Sequence, residues 1–187
     1  YIEPGDINVG VLQNVLRPGN NEQHCDQTSY NVPGTSGFHK CAGALFALQE
    51  INARYDILTN ISLGLVCMDT CSNPFTALAQ TVYMVEDNPQ CPLEEQEEDD
   101  SLDHYKVVGV IGSGFSRDAV MVSNFLKIFH IPLLGTYETS DLLSDKSSYE
   151  YFLRLVPPDQ FQTEVFLDIV LHFNWSYIGV VYSEGSY

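Results

Sequence analysis

The feature that most restricts the fold of this chain is a regular alternation of short apolar runs with amphipathic helical patterns. The apolar runs lie at residues 7–12, 62–68 and 107–111. Each is followed by a segment in which apolar residues recur every three or four positions, as in a helix packed on one face. The run at 107–111 is apolar throughout, which is typical of a strand buried on both faces of a parallel sheet. The alternation therefore predicts βαβ units and a doubly wound α/β fold.

The same patterns predict the remaining elements. Helices are expected at residues 37–54, from 73 onward, at 116–129 and at 159–173, with a helical turn near 139–143. Further extended segments are expected at 132–134, 151–155 and 177–182. Pro74 occupies the first position of the second helix, where the fixed φ of proline suits a helix. The predicted buried face of that helix consists of Phe75, Leu78, Val82 and Val85.

The composition excludes several classes of protein. With 25 Asp+Glu against 8 Lys+Arg the formal net charge is -17, yet 44% of the residues are hydrophobic. A packed core is therefore expected, whereas a polyanion of this size repels phosphate backbones, so no nucleic-acid partner is predicted. No run of about 18 apolar residues is present to span a membrane. The acidic run at 94–100 belongs to a predicted surface loop at 88–104.

The cysteines and two glycosylation sequons indicate an oxidising, extracellular setting. Asn60 and Asn174 each begin an Asn-x-Ser sequon. The cysteines show no CxxC spacing, so neither a zinc site nor any other metal or cofactor is predicted. Because their number is odd, one thiol is left for a bond to another chain or stays buried and free. The five are Cys25, Cys41, Cys67, Cys71 and Cys91.

A Gly-rich turn is the first candidate for a ligand site. Residues 109–116 read GVIGSGFS and lead from the buried strand into a helix. Such a turn exposes backbone N–H groups, and a helix N-terminus favours an anion. It fails as a dinucleotide fingerprint because Arg117 stands where a third Gly belongs, and it lacks the Lys of a P-loop. A small carboxylate or phosphate site remains, with Ser116 as an added donor; the alternative is that Ser116 only caps the helix.

Three further loops are predicted to meet that turn. In an open parallel sheet, the loops beyond the strand carboxyl ends share one crevice, which brings Thr139 beside Ser116. Asp159 begins the next helix, where it either lines the crevice or acts only as a cap, and Tyr187 follows the last strand. Two hydroxyls, a carboxylate and an aromatic ring suit a zwitterionic amino acid. No nucleophile elbow or paired His is present, so a binding module is favoured over an enzyme.

Several segments resemble one receptor family over nearly the whole chain. They are LFALQEIN at 45–52, DTC at 69–71, LSDKSSYEYFLR at 143–154, VPPD at 156–159, NWSY at 174–177 and EGSY at 184–187. They resemble the extracellular Venus-flytrap domain of class C G-protein-coupled receptors, the metabotropic glutamate receptors above all. This resemblance implies a periplasmic-binding-protein-like fold of type I. It implies lobe one at residues 1–156 and the beginning of lobe two at 157–187, as part of a longer protein.

The resemblance also assigns roles to the residues of the crevice. It implies that Ser116 and Thr139 hold the α-carboxylate of the ligand. Asp159 pairs with the amino group, near which Thr139 also lies, and Tyr187 packs over it. Lys40 aligns with an Arg that binds the distal carboxylate of glutamate in the family. Lysine keeps the charge but loses the bidentate geometry, so an α-amino acid ligand is better supported than glutamate itself.

Covalent bonds and partners follow from the same resemblance. It implies a disulfide between Cys25 and Cys71 and an intersubunit disulfide at Cys91, in a homodimer or a related heterodimer. It further implies glycans on Asn60 and Asn174, a place on the outer side of the cell membrane, and coupling to a G protein through a membrane part outside the chain. Three alternatives stay open: another class C receptor of calcium-sensing, taste or pheromone type, a soluble amino-acid-binding protein, or an enzyme that binds a phosphorylated substrate at the Gly-rich turn.

Overall fold

Strands and helices alternate along the part of the chain that the structure covers. The structure is a computed structural model that describes residues 1–15, 35–86 and 107–182. In chain order, its strands and α-helices are β1 Ile2–Glu3, β2 Ile7–Gln13, α1 Thr35–Asn52, β3 Leu63–Asp69, α2 Pro74–Glu86, β4 Val107–Gly112, α3 Ser116–Leu126, β5 Leu133–Gly135, β6 Phe152–Arg154 and α4 Asp159–His172. Short 3-10 helices are found at Lys127–Phe129 and Asp141–Ser144.

The strands form one sheet in the order β1-β3-β2-β4-β5-β6. All neighbours pair in parallel except β1, which runs antiparallel to β3. The predicted α/β fold with a parallel sheet is thereby confirmed. The chain moves from β2 to β3 on one side and then crosses back to β4 on the other side of β2. The carboxyl ends of β2 and β4 therefore flank the point where the strand order reverses, which is where open α/β sheets bind ligands.

Helices cover both faces of this sheet. Because successive side chains of a strand point to opposite faces, Val11 and Leu12 enter two different cores. Val11 packs with residues of α1 and β3, namely Leu48, Leu65 and Cys67. Leu12 belongs to the larger core on the other face, where the strands pack against α2 and α3; that core includes Val66, Met84, Val110, Ala119, Val122, Leu126, Leu133 and Phe152. In β4 the same arrangement buries Val107 and Val110 in the larger core and packs Ile111 against the smaller one, whereas Val108 is 41% exposed.

A disulfide fixes α1 to the sheet. Cys41 of α1 and Cys67 of β3 are bonded, with their Cα atoms 6.3 Å apart. This bond was not predicted from the sequence, in which neither cysteine was assigned a partner. Cys71 is also disulfide-bonded; its predicted partner, Cys25, lies outside the described residues, so that pairing stays a prediction. Cys91 lies outside them as well.

The buried face of α2 differs in part from the predicted one. Val85 is buried as predicted, whereas Phe75 is 72% exposed and Val82 is 37% exposed. The helix turns Ala77, Thr81 and Met84 toward the sheet beside Val85. Gly10 on β2 leaves room for this rotation of the helix, since a Cβ there would lie 2.7 Å from the Met84 sulfur. Small residues at the interface therefore set the rotation of the helix, which counting large apolar residues does not reveal.

Two further differences concern strands. Residues 175–182 have no regular secondary structure, so the strand predicted at 177–182 is wrong for this structure. A strand needs a neighbour for its N–H and C=O groups, and in the described part of the chain no strand lies beside this segment. Conversely, β1 was not predicted because its two residues are too short to show a period.

Gly135 at the end of β5 tests the packing there, and Gly43 in α1 is the control. A Cβ on Gly135 would lie 2.7 Å from the buried Phe152 ring and 2.9 Å from Glu138 Oε2. We expect Gly135→Ala to lower the free energy of unfolding by about 1–3 kcal/mol because neither neighbour has room to move. A Cβ on Gly43 would have nothing within 4 Å. We therefore expect Gly43→Ala to raise the free energy of unfolding by about 0.5–1 kcal/mol, because alanine favours a helix more than glycine does. Thermal unfolding of the two variants, measured side by side, checks both signs.

Candidate ligand-binding site

Ser116 lies where the turn after β4 meets the loop after β5. It is the first residue of α3 and is only 3% exposed. Its Oγ accepts a hydrogen bond from the backbone N–H of Ser140 at 3.2 Å. The N-cap of α3 is Phe115, and no side chain caps that helix. The reading of Ser116 as a simple helix cap is therefore wrong; its hydroxyl joins two strand ends and keeps a proton to donate.

Thr139 and Asp159 are joined across the same loop. The backbone N–H of Asp159 donates to the carbonyl oxygen of Thr139 at 2.9 Å. Asp159 is the first residue of α4, whose N-cap is Pro158 without a side-chain cap bond. Its carboxylate is partly exposed and lies 3.4 Å from the side-chain nitrogen of Gln162. The structure thus brings Ser116, Thr139 and Asp159 together around the loop at 136–140, and the carboxylate is not used as a cap.

Lys40 reaches this loop from α1. Its ammonium lies over the Tyr137 ring, 4.1 Å from the centroid, a cation–π contact. Burial lowers the pKa of Lys40, and the negative charge of Glu138 opposes that shift. The helix that follows β2 and the loop that follows β5 are therefore in contact.

Glu138 is the residue of this region that the sequence did not single out. It is fully buried. Its Oε1 accepts from the N–H of Gly114 and lies within reach of the Ser113 hydroxyl, both at 2.9 Å, while its Oε2 accepts from the N–H of Tyr137 at 2.8 Å. The Gly114 N–H, predicted to face a ligand, is thus taken by a carboxylate of the protein. The Gly-x-Gly turn could have pointed to a residue such as Glu138, because the N–H groups of the turn need an acceptor.

The geometry of that turn explains its glycines. Gly112 and Gly114 both have positive φ, +82° and +86°. Glycine adopts such values without the strain that a Cβ causes. The turn that results aims the Gly114 N–H at Glu138. The loop at 136–140 is held from its carbonyl side as well, since Arg154 of β6 donates to the carbonyl oxygens of Ser140 at 2.9 Å and Glu138 at 3.4 Å.

Asp118 is a second buried carboxyl group beside the site. It lies in the first turn of α3 and is fully buried. Burial raises the pKa of Asp118 from 3.8 to about 6; Arg117, whose Nε lies 3.3 Å from Oδ1, lowers it, and Glu138 adds to the increase. No protein partner in the described part of the chain reaches its Oδ2.

The other predicted residues lie on the surface or outside the described ranges. Asn60 and Asn174 are exposed, so both sequons are accessible; whether they carry glycans stays a prediction. Tyr187 lies outside the described residues. Across 1–15, 35–86 and 107–182, no helix has the length and apolar character needed to cross a bilayer. Over the same ranges, no cluster of His, Cys, Asp and Glu is arranged to hold a metal ion.

Comparison with known proteins identifies the family. The profile of the family described as "Receptor family ligand binding region" matches residues 41–187. The chain is 34% identical over 192 residues to metabotropic glutamate receptor 8 of Homo sapiens, an alignment that covers 98% of the chain and 20% of the receptor. It is 36% identical over 188 residues to metabotropic glutamate receptor 4 of Macaca fascicularis, with 98% of the chain and 20% of the receptor covered. It is also 36% identical over 193 residues to the metabotropic glutamate receptor of Drosophila melanogaster, with 98% and 19% covered.

The chain therefore belongs to the family of receptor ligand-binding regions. Within that family it is similar to the metabotropic glutamate receptors, which are class C G-protein-coupled receptors, and the resemblance inferred from the sequence is confirmed. The family consists of receptor domains and not of enzymes. The chain spans about a fifth of the length of these curated relatives.

Asp118 provides a test of the electrostatics beside the site. Because its pKa is raised in the folded protein, the folded state binds the proton more tightly, and stability falls as the pH rises from about 4 to about 6. We expect Asp118→Asn to stabilise the protein at about pH 7.5 by up to about 3 kcal/mol and to have no such effect near pH 4. Thermal unfolding over this pH range measures the difference. Asp168→Asn, on the exposed side of α4, is the matched control; an equal effect of Asp118→Asn at both pH values would contradict the interpretation.

Proposed function

We propose that the chain forms lobe one, residues 1–156, and the beginning of lobe two, residues 157–187, of the extracellular ligand-binding region of a metabotropic-glutamate-receptor-like receptor. An α-amino acid binds in the cleft between the lobes. The observation that carries this proposal is the hydrogen-bonded arrangement of Ser116, Thr139 and Asp159 around the loop at 136–140, beside the reversal of the strand order.

The α-carboxylate of the ligand is bound at the Ser116 end of this arrangement. The Ser116 oxygen already accepts the Ser140 N–H, so its hydroxyl proton is available to an incoming anion. The start of α3 adds the positive end of the helix dipole, which favours a carboxylate. Thr139, in the loop that contains Ser140, supplies the second hydroxyl.

The amino group of the ligand is bound at the Asp159 end. The carboxylate of Asp159 is partly exposed and is not used to cap α4. A charge-assisted hydrogen bond to an ammonium contributes about 1.5–3 kcal/mol. Tyr187 completes this end by packing its ring over the ammonium, as the resemblance implies.

Ligand binding closes the two lobes. The described connection between them is the segment Pro157-Pro158 followed by the first turn of α4, where Asp159 donates to Thr139 and Gln160 donates to Asp141 at 3.1 Å. A ligand that touches Ser116 and Asp159 together has more contacts in the closed state, which shifts the population toward it.

Loss of either end of the site should weaken binding. With the full-length protein that contains this chain, we expect Asp159→Ala and Thr139→Ala each to weaken binding of an L-amino acid by about 10- to 100-fold, the equivalent of one charge-assisted hydrogen bond. Calorimetry with a panel of L-amino acids measures this. Asp168→Ala on α4 and Thr59→Ala, an exposed threonine before β3, are matched controls and should bind normally. Absence of binding by every amino acid, or unchanged binding by Asp159→Ala and Thr139→Ala, would refute the site.

The receptor works as a disulfide-linked dimer on the outer side of the cell membrane and signals through a G protein. The motifs that support this assembly are the odd cysteine count and the position of Cys91 in the acidic loop. Closure of each cleft reorients the two protomers, and a membrane part outside this chain transmits the change.

Substitution of Cys91 tests the proposed disulfide-linked dimer. On a non-reducing gel we expect the full-length protein to migrate as a dimer, and Cys91→Ser to migrate as a monomer. The double variant Cys41→Ser/Cys67→Ser removes an intrachain disulfide and should leave the dimer intact. A wild-type protein that migrates as a monomer without reductant would contradict the covalent dimer.

A further inference from the structure

Lys40 lies in the field of a negative charge of the protein, because the carboxylate of Glu138 opposes the fall in the pKa of Lys40 that burial causes. Its ammonium packs on the Tyr137 ring at 4.1 Å from the centroid. The next residue, Glu138, points its carboxylate inward, and Oε2 accepts the backbone N–H of Tyr137 at 2.8 Å. The ammonium of Lys40 on α1 thus packs on a ring of the loop at 136–140, and the next residue of that loop carries a buried carboxylate.

Glu138 is held firmly in this position. Both of its oxygens have donors, since Gly114 and Ser113 lie 2.9 Å from Oε1. Gly135 leaves the space it needs, because a Cβ there would lie 2.9 Å from Oε2. These contacts hold the carboxylate in one position, so we expect its negative charge to stay beside the proposed ligand cleft when a ligand binds.

The remaining charges near Glu138 do not provide a free cation. Arg117 lies against Asp118 at 3.3 Å and donates to the carbonyl of Ser72. Arg154 donates to carbonyl oxygens of the loop itself. Each positive group described around the loop is therefore paired with an acceptor or a ring of the protein.

We propose, on the basis of the function proposed above, that the site selects an α-amino acid with an uncharged side chain over one with an acidic side chain, and that buried Glu138 determines this specificity. An acidic side chain that approaches Lys40 also approaches Glu138, and like charges repel strongly where water is excluded. A cationic side chain meets the ammonium of Lys40 instead. An uncharged polar side chain meets neither penalty.

L-glutamine and L-glutamate test this inference, since they have the same length and differ only in the distal amide or carboxylate. By calorimetry with the full-length protein, we expect L-glutamine to bind at least tenfold more tightly than L-glutamate. In Glu138→Gln the side-chain size is kept and the charge is removed, so the ratio should shift at least tenfold toward L-glutamate. Glu50→Gln, which removes an exposed charge from α1, should leave the ratio unchanged.

The outcomes separate the two proposals. Tighter binding of L-glutamate by the wild-type protein overturns the role of Glu138 and leaves the amino-acid site standing, and this comparison needs no variant to fold. An unchanged ratio in a folded Glu138→Gln protein overturns it as well. If neither amino acid nor any other of the panel binds, the proposed function fails and the specificity proposal fails with it.

Discussion

The carboxylate of Glu138 is the interaction on which the candidate site depends. It links the turn after β4 to the loop after β5, two segments that are separated by 24 residues along the chain. Glu138 accepts backbone N–H groups from both segments, and Arg154 donates to carbonyl oxygens of the second. Backbone groups in a buried loop must find partners, and here charged side chains supply them. The loop that carries Thr139 is therefore ordered before any ligand arrives.

The strand order of the sheet determines where this ordered loop lies. The sheet reverses its strand order between β2 and β4, so the helices after these strands diverge and leave a crevice at their amino ends. Lys40 on α1 and Ser116 on α3 both contact the loop after β5, and we propose that the three line this crevice. Binding to a surface that is already ordered avoids the cost of fixing side chains and loops, so the proposed ligand, a small zwitterion, needs few contacts.

The sequence predicted those features that depend on local pattern. The strand at Val107–Gly112 and the grouping of Ser116, Thr139 and Asp159 follow from apolar periodicity and from the rule that parallel strands end at one edge. The predicted rotation of α2 was wrong at Phe75 and Val82, because the rotation depends on Gly10 in a distant strand. Glu138 was missed for the same reason: a single Glu in a loop has no local signature, and its role appears only when Gly114 is placed opposite it.

The large negative charge of the chain and the chemistry of the cleft are separate matters. Charges at a protein surface interact through water and salt, where the field decays over about 8–10 Å, and the acidic run at 94–100 belongs to a predicted surface loop. Glu138 is fully buried, and a buried charge next to a ligand is screened far less. In the proposed site, selection among amino acids therefore depends on the few groups around the loop at 136–140 and not on the net charge of -17. Lys40 of α1 places its ammonium on the Tyr137 ring of that loop, one residue before Glu138, so we expect this end of the proposed cleft to recognise its ligand by shape and hydrogen bonds more than by charge.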